Sequence, residues 1–396
     1  MWRFLLAVGI GAILIFAIMT GIRPAYVLGY GLLALFLLAW VWPRLVARGV
    51  RVRRSLDASS PTVGEPFEET FQVGKRSRLP APWVEVVDAG GVRGYHPSRV
   101  LALGRGEVTW RARGTYRQRG WVTFGPTRVV VREPFGLFRA EVRLPERHQV
   151  LVYPRVRDVP ELTMPASHHS GLTQRQARWA EYPPETGGVR EYQPGDSLGR
   201  IHWALSQRHQ RLMSRTFEQP MTADLWVVLD LDRSVHHGEG EESTLEYAVS
   251  LAASISMHVI RRGRRVGLVA NDGRGTLLEP HRAARQDQMI LDYLATAGAT
   301  GSRHLSEALG WDRLRRLPRR AVAVITPSPD PGWLLAAQAL RERGSSLLLF
   351  YIDASSFGDV GRHLTFDLGA HVDLYVIRRG EDFSRLVRTR DAVRLA

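Results

Sequence analysis

The sequence predicts three structural regions in order: a two-helix transmembrane hairpin, a β-sandwich and an α/β domain with a mostly parallel sheet. Two apolar runs lie at the N-terminus, Phe4–Thr20 and Tyr26–Trp42. Short alternating runs separated by Gly and Pro turns follow, and after Ala223 apolar strands alternate with helical patterns. We expect boundaries that give residues 1–48 to the hairpin, 49–154 to the sandwich, 155–223 to a loop region and 224–396 to the α/β domain.

The composition excludes several classes of site. The chain of 396 residues contains no cysteine, which rules out disulfides, thiolate metal sites and cysteine nucleophiles. The net charge is +15 and comes almost wholly from arginine, with Lys75 as the single lysine. Because the arginines are dispersed and not interleaved with aromatic residues, we expect no nucleic-acid binding.

Each N-terminal apolar run has about 17 residues, the short end of what a membrane-spanning helix needs. Gly21 and Pro24 form the turn between them. A cleaved signal peptide would explain the first run, but no small-x-small cleavage site follows and a second apolar run comes at once. The sequence therefore favours a hairpin in contact with membrane lipid.

Charge predicts the orientation of this hairpin. One arginine precedes the first run, one lies in the turn, and a cluster follows the second run: Arg44, Arg48, Arg51, Arg53 and Arg54. Positive charge favours the cytoplasmic side, and the cluster suits anionic headgroups. We expect a multi-pass cell-membrane protein whose soluble domains are cytoplasmic.

The segment before residue 154 contains several short alternating runs typical of a sandwich that serves as a spacer or docking module. The predicted strands are Phe67–Val73, Trp83–Val87, Glu107–Arg113, Trp121–Phe124, Thr127–Arg132 and Gln149–Tyr153.

Residues 155–223 have few periodic apolar runs, which is typical of functional or disordered segments. His168 and His169 lack further ligands at metal-binding spacing, so a solvated loop is the favoured interpretation. A short helix is predicted at Ser197–Gln207, with Trp203 and Leu205 packing inward.

After Ala223 the pattern predicts parallel strands joined by helices. The strands are Leu225–Leu231, Arg265–Ala270, Ala321–Thr326, Ser346–Ile352 and Leu374–Ile377, with an edge strand at Thr276–Glu279. The helices are Leu245–Arg262, Arg285–Ala297, Ser302–Leu317, Trp333–Arg343 and Asp382–Arg388. Asp230, Asp232 and Ser234 come at the carboxyl end of the first strand, the edge where such sheets bind ligands.

Three segments carry a resemblance to a known family. They are RGWVTFGPTRVVVREPFGLFRAEVRLPERHQVLVYPRV at 119–156, VREYQPGDSLGRIHWALSQRHQRLMSRTFEQ at 189–219, and the strand end at 230–234. The chain resembles the family called domain of unknown function 58, and with the paired helices the resemblance covers essentially the whole chain. Glu133 stands where this family usually has Asp. The resemblance implies a von Willebrand factor A-like domain of Rossmann-like α/β fold.

In von Willebrand A domains an Asp-x-Ser-x-Ser loop, a Thr and an Asp coordinate magnesium. The resemblance places Asp230, Asp232 and Ser234 in the first loop. The second loop would lie near 301–305 and presents Arg303, and the third presents no carboxylate before Asp330. We therefore expect a degenerate site, with the two aspartates hydrogen-bonded or paired with Arg303. No cofactor is expected, and Mg²⁺ is the alternative.

The 189–219 segment alternates charges within a short span. Its candidate partner-binding residues are Arg190, Glu191, Tyr192, Asp196, Arg200, His202, Trp203 and Arg208. Arg, Tyr and Trp dominate the energetics of protein interfaces, which favours a partner surface. An internal ion-pair network that fixes the loop is the other interpretation, and the two stay open.

The resemblance implies a function as a membrane-anchored adaptor for a MoxR-type AAA+ ATPase. Alternatives are a metal-dependent ligand-binding domain and a cell-envelope scaffold. A hydrolase would have to use Asp196, His202 and either Ser206 or Ser234. The sequence has no G-x-S-x-G, G-x-x-x-x-G-K or H-E-x-x-H motif, so we expect no catalytic activity.

Overall fold

A computed structural model describes residues 2–57, 60–88, 90–104, 106–160, 186–192, 201–217, 224–280, 285–310, 321–343, 345–358 and 373–389. The chain forms two compact units. One contains residues 1–156 with 239–241 and 291–297, and the other contains 157–238, 242–290 and 298–396.

The first unit begins with helices α1 (Trp2–Thr20) and α2 (Arg23–Gly49). Both are long and apolar enough to cross a membrane. Gly29 of α2 allows close approach, because a Cβ there would meet Leu14 Cδ2 of α1 at 2.5 Å. The second helix continues beyond the predicted end at Trp42 through Pro43 to Gly49, so part of the arginine cluster is helical.

Nine strands follow among the described residues of the first unit. They are β1 (Val50–Leu56), β2 (Pro66–Lys75), β3 (Ala81–Asp88), β4 (Ser98–Leu103), β5 (Val108–Thr115), β6 (Gly120–Phe124), β7 (Thr127–Arg132), β8 (Arg139–Leu144) and β9 (His148–Val152). They pair as three sheets, β1-β2-β5, β4-β3-β7-β8 and β6-β9, in antiparallel register. The sequence analysis missed β1, β4 and β8, in which exposed arginines interrupt the apolar pattern.

The two larger sheets share one apolar core, which makes this region the expected sandwich. Phe71 of β2 stacks on Trp110 of β5 at 4.5 Å between ring centroids. Val84 and Val131 from the four-stranded sheet belong to the same buried cluster, as does Val46 of α2. Burial of apolar side chains on alternate strand positions therefore holds the layers together.

A charged group lies inside this sandwich. The guanidinium of Arg54 contacts the carboxylates of Glu69 and Asp88, each at 2.6 Å, and all three side chains are buried. Tyr95 donates a hydrogen bond to Glu69 Oε2 at 2.8 Å, and Arg54 donates to Thr127 Oγ1 at 2.9 Å. Burial raises the pKa of Glu69, and the bond from Tyr95 and the charge of Arg54 oppose this shift.

The second unit contains the α/β domain. Its strands are β10 (Thr186–Glu191), β11 (Met213–Phe217), β12 (Leu225–Leu229), β13 (Gly238–Glu239), β14 (Glu242–Ser243), β15 (Val266–Ala270), β16 (Leu277–Leu278), β17 (Ala321–Thr326), β18 (Ser346–Ile352), β19 (Asp373–Ile377) and β20 (Arg388–Thr389). The helices in this part of the chain are α3 (Trp203–His209), α4 (Thr244–Arg261), α5 (Gln286–Thr296), α6 (Leu305–Leu309) and α7 (Gly332–Glu342). Residues 291–296 of α5 belong to the first unit.

The main sheet of this unit has seven strands in the order β16-β15-β12-β17-β18-β19-β20. The five central strands are parallel and the two short edge strands are antiparallel. β12, β15 and β17 are buried at every position, as strands covered on both faces must be. The mostly parallel sheet predicted from the apolar runs is confirmed.

Several predicted boundaries are wrong. The segment predicted as a helix at 382–388 is a single 3₁₀ turn, Phe383–Arg385, because Asp382 caps the amide of Ser384 and closes a short turn. The helix predicted at 302–317 begins at Leu305 and ends at Leu309, and residues 311–320 lie outside the described residues.

Candidate functional site

The carboxyl edge of the parallel sheet places Asp230 directly after β12, where it is fully buried. Its Oδ1 accepts hydrogen bonds from Asn271 Nδ2 at 2.8 Å and from the backbone N–H of Asp232 at 3.2 Å. Its Oδ2 accepts a hydrogen bond from Thr326 Oγ1 at 2.6 Å. The side chain thereby joins the ends of three adjacent strands, β15, β12 and β17.

Burial raises the pKa of Asp230 above its ordinary value. The hydrogen bonds from Thr326 and Asn271 oppose the shift, because they stabilise the charged form, and the neighbouring carboxylate of Asp232 adds to it.

Asp232 lies two residues after Asp230 and is only 3% exposed. Its Oδ1 accepts hydrogen bonds from the backbone N–H of Ser234 at 3.0 Å and from Ser234 Oγ at 2.9 Å. Its Oδ2 is buried and has no hydrogen-bond partner within the described ranges. The imidazole Nδ1 of His304 lies 3.7 Å from Oδ2, beyond hydrogen-bond distance.

The segment before α6 lies against this loop through its backbone. Gly301 N donates to Leu231 O at 2.9 Å, and Arg233 N donates to Gly301 O at 3.0 Å. Arg303 contributes its carbonyl oxygen, which accepts from Asn271 Nδ2 at 2.9 Å. Of the two expected arrangements, hydrogen bonding is the one found for Asp230 and Asp232, and no ion pair of either with Arg303 is present among the described residues. The short backbone bridge at Gly301 instead brings His304 toward Asp232.

The loop after β17 completes the site. Thr326 Oγ1 accepts from the N–H of Ser328 at 2.9 Å while it donates to Asp230. Asp330 N donates to Ser328 Oγ at 3.3 Å. A cavity of about 10 Å³ opens between these loops, about the volume that one water molecule needs. It is lined by Asp230, Asp232, Val235, His304, Leu305, Ser306, Ser328, Asp330 and Trp333.

These residues do not fit a resident magnesium ion. Octahedral Mg²⁺ needs several free oxygen ligands. Both oxygens of Asp230 accept hydrogen bonds, as does Asp232 Oδ1, which leaves Asp232 Oδ2 as the one open carboxylate oxygen of this pair. Within the described ranges no group of three or more His, Asp or Glu side chains could hold a metal ion. The site instead offers one buried acceptor to a hydrogen-bond donor.

The 189–219 segment forms structure that the sequence analysis missed. Strands β10 and β11 pair in antiparallel register, and α3 lies between them along the chain. His202 caps α3, because its Nδ1 accepts from Leu205 N at 3.3 Å. The predicted helix at 197–207 thus begins later, at Trp203, and ends at His209.

Trp203 is 67% exposed, so the prediction that it packs inward is wrong. Trp203 is the first residue of α3, directly after the cap residue His202. The buried residue of this short helix is Ser206. Ser206 Oγ accepts from Met213 N at 2.8 Å, which ties α3 to β11. Arg208 and Leu212 are also exposed.

The other members of the predicted partner set have different placements. Arg190 and Glu191 end β10, and Tyr192 N donates to Leu212 O at 2.7 Å. Glu191 forms an ion pair with Arg211 at 3.5 Å, with both side chains exposed to solvent. Such exposed pairs contribute little to stability. Asp196 and Arg200 lie outside the described residues.

Residues important to the carboxyl edge were missed by the sequence analysis. Asn271 bridges Asp230 and Arg303, and Thr326 bridges Asp230 and Ser328. Asn271 directly follows the apolar strand β15, and Thr326 is the last residue of the apolar strand β17. These positions at strand ends could have identified both residues from the sequence. The two serines considered for a hydrolase have structural roles here: Ser234 Oγ donates to Asp232, and Ser206 Oγ accepts from Met213.

Comparison with known proteins finds one family model that matches part of the chain. The family described as protein of unknown function DUF58 matches residues 188–351, which include β10, α3, β11 and the strand ends around Asp230. The resemblance to this family is confirmed. The DUF58 match thus covers the candidate site and the exposed Trp203 together.

Two relatives are themselves uncharacterized. The protein Rv1480 of Mycobacterium tuberculosis is 29% identical over 178 residues, which is 43% of this chain and 55% of that protein. The match therefore spans about half the length of the mycobacterial relatives. The protein YeaD of Bacillus subtilis is 22% identical over 323 residues, which is 77% of this chain and 78% of that protein.

Two solved structures each match about a quarter of the chain. The CARDB domain of the PF1109 protein from Pyrococcus furiosus, solved with di-metal ions, is 18% identical with a TM-score of 0.20 and covers 26% of this chain and 86% of that domain. The C-terminal domain of wzt is 10% identical with a TM-score of 0.21 and covers 26% of this chain and 73% of that domain.

Proposed function

We propose that the chain is a membrane-anchored protein-interaction adaptor, with a von Willebrand A-like domain that binds a MoxR-type AAA+ ATPase. The observation that carries the interaction role is the exposure of Trp203 on α3, a helix whose Arg208 is also exposed. Tryptophan and arginine are enriched in interface hot spots. The ATPase as partner rests on the family resemblance alone.

Membrane anchoring rests on α1 and α2, which have the length and apolarity of spanning helices. Arg3, Arg44 and Arg48 flank the apolar stretches, and Arg23 lies in the turn. On the positive-inside rule both chain ends of the hairpin lie in the cytoplasm, and the soluble units lie there with them. A cytoplasmic AAA+ ATPase could therefore reach the exposed surface of α3.

The carboxyl edge offers a second contact for the same partner. Within the part of the chain that the structure describes, Asp232 Oδ2 is a buried acceptor without a hydrogen-bond partner, and it lies at a cavity that one donor atom can enter. A donor group from the partner would satisfy this oxygen, and satisfying a buried charged acceptor is worth about 1.5–3 kcal/mol. In this proposal α3 supplies apolar contact area and Asp232 supplies specificity.

The test is a binding titration between the full chain in lipid nanodiscs and a purified MoxR-type ATPase from the same organism. Trp203→Ala should weaken binding by at least about tenfold, because hot-spot truncations cost about 2 kcal/mol or more. Trp121→Ala is the matched control, since Trp121 is 61% exposed in the other unit and its loss should leave the affinity unchanged.

Asp232→Asn tests the second contact and separates the alternatives. The adaptor proposal predicts weaker binding in this variant with no dependence on magnesium. Loss of wild-type binding on chelation would support the metal-dependent ligand-binding alternative. Absence of ATPase binding by the wild-type chain would contradict the proposed partnership, and turnover of a substrate by the chain alone would contradict the adaptor role.

A further inference from the structure

The loop between β7 and β8 is an apolar turn with the sequence EPFGLF, residues 133–138. Phe135 at its tip is 63% exposed, although Phe is among the residues most often buried in soluble proteins. Leu137 is half-buried, and Phe138 is 8% exposed. The loop therefore exposes the large apolar side chain of Phe135, whereas Leu137 and Phe138 are partly or fully buried.

The backbone N–H groups of this loop, from Phe135 to Phe138, all have hydrogen-bond acceptors on Glu133. The buried carboxylate of Glu133 accepts hydrogen bonds from the backbone N–H groups of Phe135, Leu137 and Phe138, the last at 3.0 Å. Gly136 N donates to Glu133 O at 3.1 Å, in a turn that Gly136 permits with its φ of +70°. Because unsatisfied amides make irregular loops costly in an apolar medium, this arrangement lowers the cost of moving the tip out of water.

Two contacts fix the level of the loop along the apolar helices. The Phe138 ring lies 5.1 Å from the ring of Phe36 in α2. The guanidinium of Arg3, in the first turn of α1, lies 5.2 Å from the centroid of the same Phe138 ring. Phe36 precedes Trp40 by about one helical turn. Arg and Trp mark the headgroup level of spanning helices, so Phe138 lies at the boundary between headgroups and acyl chains.

The neighbouring end of the β4-β3-β7-β8 sheet has the composition of a membrane interface. Trp42 Nε1 donates to Pro80 O at 3.1 Å, which ties this end of the sheet to α2. Trp83 of β3 is exposed and pairs in register with Arg132 of β7, which pairs with the exposed Arg139 of β8. Exposed aromatic and arginine side chains together favour contact with anionic lipid headgroups.

We propose that residues 134–138 insert into the lipid bilayer at the headgroup boundary, with Phe135 as the membrane-contacting side chain. This inference rests on the proposed membrane anchoring of α1 and α2. The loop forms a third attachment point beside the two helices. It holds the sandwich against the bilayer surface, because a domain attached at both a helix end and a loop cannot rotate freely about the helix.

The absence of cysteine from the chain makes the test direct, because a single introduced cysteine is the only labelling site. Three full-length variants, Phe135→Cys, Glu146→Cys and Leu35→Cys, are labelled with the fluorophore NBD and reconstituted into vesicles of phosphatidylglycerol and phosphatidylcholine. Quenching by phosphatidylcholine brominated at shallow or deep acyl positions then reports contact with lipid. Glu146 is exposed in the β8–β9 loop, at the far end of β8 from Phe135, and Leu35 lies within α2.

The proposal expects a blue-shifted emission at position 135 that shallow bromines quench, a water-like unquenched emission at 146, and quenching by brominated lipid at 35. Lipid contact at 35 with none at 135 overturns the loop insertion and leaves the membrane anchoring intact. A blue shift at 135 without quenching by brominated lipid would mean that protein, and not lipid, covers this position, which overturns the loop insertion. Absence of lipid contact at 35 overturns the anchoring and the insertion together, and equal quenching at 146 overturns a specific role for the loop.

Discussion

Thr326 Oγ1 donates a hydrogen bond of 2.6 Å to Asp230 Oδ2, joining the carboxyl ends of the adjacent parallel strands β17 and β12. The same hydroxyl oxygen accepts from Ser328 N at 2.9 Å. One buried threonine thus holds the aspartate and the following loop in a fixed relation. The geometry of the cavity depends on this pair more than on any exposed residue.

Replacing Thr326 with valine removes the hydroxyl while keeping the shape of the side chain. Asp230 Oδ2 and Ser328 N would lose their partner in a buried site, which costs about 1–3 kcal/mol for each unsatisfied group. We expect the free energy of opening of β12 and β17, measured by amide hydrogen exchange in nanodiscs, to fall by that order. Thr326→Ser keeps the hydroxyl and should lose less than half as much. Equal losses in the two variants would show that packing, and not the hydrogen bond, holds the strands.

The raised pKa of Asp230 predicts how stability changes with pH. Because the folded state holds this proton more tightly than the unfolded state, opening releases a proton over the range between the ordinary pKa of 3.8 and the raised value. The contribution to stability is therefore complete below the ordinary value and is lost as pH rises through the folded pKa. Asp230→Asn should flatten this fall, measured as the opening free energy of β12 after correction for the intrinsic exchange rate at each pH. The same slope in both proteins would contradict the assignment.

Gly301 is required by the approach of two backbone segments. A Cβ at this position would lie 2.1 Å from Asn271 O and 2.9 Å from Leu231 O, closer than real contacts allow. We expect Gly301→Ala to cost about 1–3 kcal/mol as an overpacked site and to weaken protection of the Asp230–Ser234 loop in hydrogen exchange. Gly298→Ala is a matched control in the same loop, since its Cβ would meet only Thr300 Cγ2, at 3.7 Å. Loss of protection in the control and not at Gly301 would refute this reasoning.

The fold was predictable where burial on both faces made the apolar pattern continuous. Strands β17 and β18 begin and end where the sequence analysis places them, because every position of β17 and nearly every one of β18 faces the core. Strands with one solvent-facing side were harder to predict. In β1 and β8 valine or alanine alternates with arginine, so neither forms an apolar run.

The site was predictable only in part, because sequence gives the position of a side chain along a strand and not its partners across the sheet. Asp230, Asp232 and Ser234 were predicted from the end of β12. Asn271 follows a strand 41 positions later in the chain, and its contact with Asp230 exists only because β15 pairs beside β12. Trp203 illustrates the converse: an aromatic residue in a short helix was assigned to the core, yet its side chain is exposed to solvent.

The buried charges of the sandwich give the largest expected effect on stability. Arg54 is the cation between Glu69 and Asp88, and its removal would leave two carboxylates buried without a counter-charge. Breaking such a group by removing one partner costs about 3–5 kcal/mol. We expect Arg54→Met to lower the opening free energy of β1, β2 and β3 by that amount in hydrogen exchange. Local readout is needed, because a chain with two units need not unfold in one step.

Two comparisons decide whether charge is the cause of this loss. Arg113→Met removes an arginine whose ion pair with Glu68, at 2.9 Å, is exposed on the same sandwich, and it should cost less than about 1 kcal/mol. In the triple variant Arg54→Met, Glu69→Gln, Asp88→Asn the buried carboxylates are gone, so most of the lost stability should return even though the arginine is absent. If the triple variant is as unstable as Arg54→Met alone, the arginine acts through packing against Phe71, whose ring lies 5.4 Å from its guanidinium, and not through its charge.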